Sequence, residues 1–353
     1  MTSSRSGRSS AAQLLLRLGG HGAFAREAAP GAAVAATEPD VAACYRLLLG
    51  RPADPEGLAH YRQRLASGAT LTQVVNEFLS SVEFSRRHPD LYKAGSTAQM
   101  VSTAEGFRIY VDPTDYAVGH TIARTGVYEP DVTAVVRRDL EPGNTFVDIG
   151  ANVGWFSLLG ASLVGPGGRV VAVEPNPSNV ALLTKSAGEN GFANLEVLTV
   201  ALSDRSSAVA LETDGSNGRI VPIEGPPQSP VRASWVVAAQ PLDELLATMA
   251  LSRVDLVKLD VEGAEPLVLR GAASTLARYR PLIITEFFPR ALDASPWGDA
   301  PGYLDMLRQL GYRLLVIGAG EGPARHGASD DLIMSLANQP GCDQLNLLAV
   351  PRT

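Results

Sequence analysis

The stretch Phe146-Val147-Asp148-Ile149-Gly150-Ala151-Asn152-Val153-Gly154 decides the fold. A short apolar run enters a glycine turn, and a helical stretch over 153–164 follows at once. Gly150 lets the chain turn sharply, and Gly154 lets the helix approach a ligand and the sheet closely. Amides at a helix N-terminus attract negative groups, and in a dinucleotide enzyme the phosphates would sit there. Asp148 argues against that occupant. A carboxylate at this strand end repels phosphate and pairs with an amino group. S-adenosylmethionine (SAM) carries an ammonium and a sulfonium and no phosphate, so the acid favours SAM. The absence of G-x-G-x-x-G spacing weighs equally against an NAD-dependent oxidoreductase.

Working outward, the next strand ends at Val173-Glu174-Pro175-Asn176-Pro177. An acid here can accept both hydroxyls of a ribose. The chain leaves a third strand at Thr199-Val200-Ala201-Leu202-Ser203-Asp204, where adenine would lie. Leu202 can pack on the ring, and either Ser203 or Asp204 can accept from its exocyclic amine. A fourth strand runs through Val254–Leu259 into Asp260-Val261-Glu262-Gly263-Ala264-Glu265. Alternation puts Lys258 and Asp260 on one side, with Asp260 and Glu262 at the strand's carboxyl end. A fifth strand brings Glu286 to the same rim. Three carboxylates and a lysine are costly to assemble for structure alone. Lys258 is read equally as a structural ion-pair partner and as a catalytic residue.

Short apolar runs at Thr145–Ile149, Val170–Val173, Leu195–Val200, Val254–Leu259 and Leu282–Glu286 alternate with helical stretches over 153–164, 177–190 and 264–278. That rhythm predicts a parallel sheet covered on both faces. Residues 205–240 break it, and predict an antiparallel hairpin inserted before the fourth core strand. The tail adds a helix near 301–310 and strands at Arg313–Ile317 and Leu345–Val350.

Upstream, residues 1–37 lack sustained periodicity and are expected to be disordered, with one short helix at 11–17 at most. Residues 38–90 have helical periodicity, punctuated by Gly50-Arg51-Pro52 and restarted by Asp54-Pro55-Glu56, an N-cap followed by a first-turn proline. Residues 91–106 are expected to be a linker, and 107–353 the α/β domain.

Composition narrows the function classes. The chain has 353 residues and a formal net charge of −7, which disfavours non-specific nucleic-acid binding. Its two cysteines, Cys44 and Cys342, fit no metal spacing and suit a reducing cytoplasm. The apolar run Ala11–Leu16 is too short for a transmembrane helix or a signal-peptide core.

The segments DIGANVGWFS (148–157), VVAVEPNP (170–177), VDLVKLDVEGAE (254–265) and PLIITEFFP (281–289) resemble, in that order, the FkbM-type methyltransferases. The resemblance runs from about residue 112 to 289, and Thr125–Pro130 looks like the family's lead-in. It implies a Rossmann-like, seven-stranded class I SAM methyltransferase sheet and O-methylation of sugars, polyketides or related hydroxyl compounds. By motif, it puts Asp148, Gly150, Asn152 and Gly154 in the cofactor loop and Glu174 on the ribose. Asp260 and Glu262 fall near the transferring methyl, and Tyr128 and Glu129 border the pocket. Asn152 stands where methyltransferases generally have a middle glycine, and fits this family. The segment from Tyr45 to Phe84 resembles a bacterial domain of unknown function joined to surface-layer proteins, glycosyltransferases and methyltransferases. That implies an association with glycan chemistry, not a catalytic role.

The expected reaction is methyl transfer to a hydroxyl oxygen, with Asp260 as first choice for general base and Glu262 as second. His120, a loop histidine, reads more simply as solvated. A divalent metal on Asp260, Glu262 and Glu286 would lower the hydroxyl pKa instead. No histidine joins that set, and the reading assigns no metal ligand. The competing class is a non-catalytic SAM-fold binding module whose helical segment docks a glycan-biosynthesis partner. The intact cofactor acids weigh against it. The acceptor is expected to be a small molecule or glycan. It would be held by 101–130, 212–235 and 290–300, with Trp235, Trp297, Phe287 and Phe288 as candidate lining. Residues 38–90 are a candidate protein or oligomer contact.

Overall fold

A computed structural model describes residues 35–79, 81, 83–84, 98–222, 233–318, 327–339, 342 and 344–352. The expected disorder over 1–37 and helix at 11–17 therefore lie almost wholly outside the described residues. So does much of the expected linker.

The N-terminal unit has helices α1 (Glu38–Leu48), α2 (Pro55–Ala66) and α3 (Leu71–Leu79). Their starts follow local chemistry. The Asp40 carboxylate accepts from the Thr37 backbone N–H at 2.8 Å, and Asp54 accepts from Gly57 N at 2.8 Å ahead of Pro55. Tyr45, Tyr61 and Phe78 close the small core, with Tyr61 stacked on Phe78 at 4.9 Å. Ala35, within the stretch expected to be disordered, already bridges to Thr70.

The next unit begins with a hairpin, β1 (Gln99–Ser102) and β2 (Arg108–Val111). Part of the expected linker is thus a strand. Val101, Ile109 and Val111 turn inward while Met100 faces out, an alternation too short to register as a periodic window. There follow α4 (Gly119–Thr125), α5 (Pro130–Asp139), β3 (Thr145–Ile149), α6 (Trp155–Val164), β4 (Arg169–Val173), α7 (Pro177–Asn190), β5 (Leu195–Leu198) and β6 (Ala201–Leu202). Then come β7 (Ser207–Asp214), β8 (Asn217–Val221), β9 (Ala233–Gln240), α8 (Leu242–Ala247), β10 (Leu256–Leu259), α9 (Glu265–Gly271), α10 (Ala273–Tyr279) and β11 (Leu282–Phe287). The chain ends with α11 (Pro289–Ala294), α12 (Ala300–Gln309), β12 (Tyr312–Val316), α13 (Asp330–Ala337) and β13 (Leu345–Pro351).

The main sheet has seven strands in the order β12-β13-β11-β10-β3-β4-β5. Strands β11 through β5 are mutually parallel, as expected. The tail differs: β13 runs antiparallel between β11 and β12. Strand order reverses between β3 and β10, so their carboxyl ends frame a crevice. Alternation sorts the faces. Val147, Ile149, Val257, Leu259 and Ile283 join one core. Phe146, Leu256 and Ile284 join the other, which puts Asp148, Lys258 and Glu286 on that second face.

Instead of a simple hairpin, residues 201–240 build a four-stranded sheet, β6-β9-β7-β8. The chain leaves the main sheet after β5, and β6 pairs with β9 in parallel. The predicted helix over 264–278 is broken at Ala272 into α9 and α10. The helical unit leans on this smaller sheet: α3 lies against β9, Val75 packs on both the module's core and the main core, and Trp235 joins the module to the small sheet. Among the described residues no helix is long and apolar enough to cross a membrane.

Candidate active site

The carboxyl ends of β3, β4 and β10 open into one cavity, lined among others by Gly150, Asn152, Glu174, Leu202, Asp260 and Glu262. Gly150 has φ +76°, and a Cβ there would lie 1.7 Å from the carbonyl oxygen of Asp260. Only a glycine lets the β3 turn seat on the end of β10, where the Asp260 N–H donates to Ile149 O at 3.1 Å. At Gly154, φ is +96° and a Cβ would come within 2.1 Å of Leu183 Cδ1 on α7. Between them Asn152 sits at φ +52°, a conformation asparagine tolerates better than most residues.

Asn152 also links two walls. Its backbone N–H donates to Glu174 Oε2 at 2.8 Å, and its Nδ2 donates to Asn217 Oδ1 at 3.2 Å. Glu174 Oε1 accepts from Asn176 N at 2.8 Å and from Asn179 Nδ2 at 3.4 Å. Burial pushes the Glu174 carboxyl up to about 7, against the pull of these donors. A carboxylate has about four acceptor sites, so capacity remains for a ligand hydroxyl.

Asp148 is placed beneath the cavity floor and does not line it. It is buried against Ser157, whose Oγ donates to Asp148 Oδ2 at 2.5 Å, and it pairs in register with Lys258. Its Oδ1 is fully buried without a partner. Burial raises its pKa, and Lys258 opposes the rise. Tyr128 and Glu129 do line the cavity. Tyr128 packs beside Trp155 and Phe156, and Trp155 Nε1 donates to Thr133 Oγ1, which in turn donates to Tyr128 O. Glu129 adopts φ +38° and leaves Oε2 buried and unpartnered.

At the other end, Asp260, Glu262 and Glu286 each present a carboxylate oxygen within 4.8 Å of the other two. Lys258, 4% exposed, donates to Asp260 Oδ2 at 2.7 Å. The structural reading of Lys258 thus has a definite partner, and its Nζ also lies 4.9 Å from the Phe156 ring centroid. Glu262 is held at φ +55°. The brace is Glu265: its Oε1 accepts from Val261 N at 3.0 Å and Gly263 N at 3.3 Å, fixing the turn around Glu262. Burial and then Asp260 push Glu262 up to about 7. The same two causes, joined by Glu262 itself, raise Glu286.

Other sequence candidates lie elsewhere. Leu202 lines the cavity, but Ser203 and Asp204 do not. Asp204 turns toward Arg270, 3.7 Å away, because the chain has crossed to the small sheet by that point. Phe287 is core, while Trp235 and Trp297 pack on the small sheet. His120 contacts Pro113 O at 3.3 Å, off the cavity lining.

Sequence reasoning named 212–235 as an acceptor segment but singled out no residue at the tip of the β7–β8 hairpin. Ser216 and Asn217 line the cavity, and Ser216 Oγ is buried without a partner. Asn179 Nδ2 donates to Ser216 O at 2.7 Å. Asp115 accepts from Ser216 N at 3.2 Å as well as from Ala117, Val118 and Gly119 N–H groups, so one carboxylate staples two cavity loops. The two-residue turn Gly215-Ser216, with Gly215 at φ +62°, was a readable hairpin signal, but nothing local said where its tip would land.

Comparison with known proteins agrees with this architecture. Residues 148–314 match the model of the methyltransferase FkbM domain, and residues 32–88 match that of a domain of unknown function, DUF4214. Over 247 residues, 57% of this chain, the sequence is 28% identical to the AMB antimetabolite synthetase AmbE of Pseudomonas aeruginosa, and the match spans 11% of that protein. It is 25% identical over 185 residues to the 2-O-methyltransferase NoeI of Sinorhizobium fredii, spanning 47% of this chain and 74% of that one. It is also 25% identical over 148 residues to the hexuronic acid methyltransferase AglP of Haloferax volcanii, spanning 42% and 58%. The chain therefore covers a small part of the first relative, about three quarters of the second and over half of the third. Most of the cavity's lining thus falls within the stretch that is similar to the methyltransferase FkbM domain, and the N-terminal helices fall within the stretch that is similar to DUF4214.

Proposed function

We propose that the chain is a SAM-dependent O-methyltransferase acting on a hydroxyl of a sugar, glycan or polyketide-like natural product. One observation carries the reading: the turn at 150–153, Glu174 and the carboxylates of Asp260 and Glu262 share a single cavity. The cavity also fits the cofactor's chemistry. Lys258 is the only basic residue on the lining among the described residues, against Glu129, Glu174, Asp260, Glu262 and Glu286. Such a lining suits a ligand bearing cationic centres and ribose hydroxyls and repels phosphates. The two methyltransferases named above, one for 2-O-methylation and one for hexuronic acid, support a sugar acceptor.

When bound, SAM supplies an electrophilic methyl group on its sulfonium. The protein's residues position the reactants and manage the acceptor's proton. Glu174 accepts from the ribose, and Leu202 packs on the adenine. Tyr128, Trp155 and Phe156 exclude water from one wall. Glu262 takes the hydroxyl proton in preference to Asp260, because Asp260 Oδ2 is held by Lys258 whereas Glu262 has no such partner among the described residues. Asp148 stays below the floor, where it orients Lys258 and Ser157. Residues of 38–90 away from β9 are the proposed contact for a protein partner, and the two unpaired cysteines fit action in the cytoplasm.

Calorimetry with SAM and with NAD, followed by transfer from labelled SAM to a panel of glycosides and uronic acids, tests this reading. SAM alone should bind. Glu262→Gln should lower kcat by about 100-fold or more with SAM affinity kept, the scale of general-base catalysis. Absence of SAM binding to the folded protein would remove the proposal.

A further inference from the structure

The rim of the cavity carries more negative charge than methyl transfer requires. Asp260, Glu262 and Glu286 converge within 4.8 Å, from the ends of two adjacent strands. Lys258 neutralises one oxygen of Asp260 only. Glu286 is 8% exposed and lines the cavity, and its carboxylate has no hydrogen-bond or ion-pair partner among the described residues. Glu262 is kept beside it in a left-handed conformation by the Glu265 brace. Backbone strain and a largely buried carboxylate with no hydrogen-bond partner among the described residues are both costly, and here both serve to bring oxygens together. SAM carries one net positive charge and would not cancel this surplus.

We infer that Asp260, Glu262 and Glu286 form a binding site for a hard divalent cation, Mg²⁺ or Mn²⁺. The donor set is all oxygen, which suits these ions and not zinc or copper. Three carboxylate oxygens leave part of an octahedral shell open on the cavity side. Mg²⁺ commonly fills such positions with water and substrate oxygens. The inference rests on the proposed function for its role: the open positions face the acceptor end, where two neighbouring hydroxyls of a sugar can chelate. A cation there lowers the pKa of the hydroxyl it binds. The acceptor class is thereby narrowed to vicinal diols or to a hydroxyl beside a carboxylate, as in a uronic acid. Asp260 is then a shared residue, serving both the cation and Lys258.

Mn²⁺ titrated into the metal-stripped full chain, read by calorimetry and by the loss of the free-ion paramagnetic resonance signal, tests the site without any turnover. One saturable site per chain is expected, competed by Mg²⁺ and retained when SAM is present. Glu286→Gln and Glu262→Gln should each weaken it about tenfold or more, while Asp204→Asn on the far side of α9 leaves it unchanged. Thermal melts of each variant exclude misfolding as the cause. Absence of saturable Mn²⁺ binding in the wild type would overturn the inference and leave the carboxyls to be relieved by protonation. Displacement of Mn²⁺ by SAM would also overturn it, since the acids would then serve the cofactor's own cationic groups. Neither result abolishes SAM binding or methyl transfer, so the two readings fail separately.

Discussion

Glu174 illustrates how a single residue can trade stability for binding. Its carboxyl is raised from an ordinary 4.5 to about 7 in the folded chain by burial. Between those two pH values the folded state holds a proton that the unfolded state has given up. The folded state is therefore favoured at low pH, and this contribution is lost as pH rises from about 4.5 through about 7. The proposed ribose recognition has the opposite sign, because there the ionised carboxylate is the acceptor. SAM affinity should strengthen from about pH 6 to about pH 8, while the ligand-free protein melts at lower temperature over the same range. Glu174→Gln should flatten both slopes and weaken SAM by about 1–3 kcal/mol. A SAM affinity that ignores both pH and the mutation would take Glu174 off the ribose. At this scale the strand-end acids were legible because each follows its own apolar run. Ser216 and Asp115 were not, since the hydrogen bond joining them crosses 101 positions of chain. Asp148 was legible as an acid, but its strand-face alternation, which turns it beneath the floor, carried less weight than its position before the glycine.

Among the elements, the β7–β8 hairpin makes the largest unforeseen contribution. Its tip reaches the cavity and is held there by Asn152, Asn179 and Asp115. Asp115→Ala removes one acceptor shared by four backbone N–H groups and frees both loops it joins. Hydrogen bonds to a charged group contribute about 1.5–3 kcal/mol each when well sheltered, less for this half-buried carboxylate. SAM affinity should fall by about tenfold, with the far-ultraviolet circular dichroism unchanged. Normal affinity in that variant would show that the tip does not shape the cofactor site. The core strands were legible as runs of valine, isoleucine and leucine bounded by glycine, proline or acid. Pairing was less so. Periodicity identifies a strand but not its neighbour, which is why the antiparallel entry of β13 between β11 and β12 and the parallel pairing of β6 with β9 emerge only in three dimensions.

At the scale of the whole molecule, the question is whether the helical unit belongs to the α/β domain or merely rests on it. Its core, built on Val41, Tyr45, Tyr61, Val74 and Phe78, is its own. Among the described residues, its seam with the rest of the chain includes α3 against β9, with Val75 and Trp235 as apolar contacts. None of the described residues from 35 to 84 lines the cavity. A chain starting at Ala98 should therefore fold and bind SAM with affinity within about threefold of the full-length value, since no ligand-contacting group is lost. It should melt a few degrees lower, because uncovering Trp235 and the patch under Val75 returns apolar area to water at about 25 cal/mol per Å². Val75→Asp in the full chain probes the same seam more gently. A charge there must be buried or the seam must open, and Trp235 fluorescence should shift to longer wavelength while SAM affinity holds. If the truncated chain folds yet fails to bind SAM, or if Val75→Asp abolishes binding without unfolding the protein, the helical unit acts through β9 on the hairpin beside the cavity. The helical unit would then be a working part of the site, and its outward helices would be the place where a partner could regulate the proposed methylation.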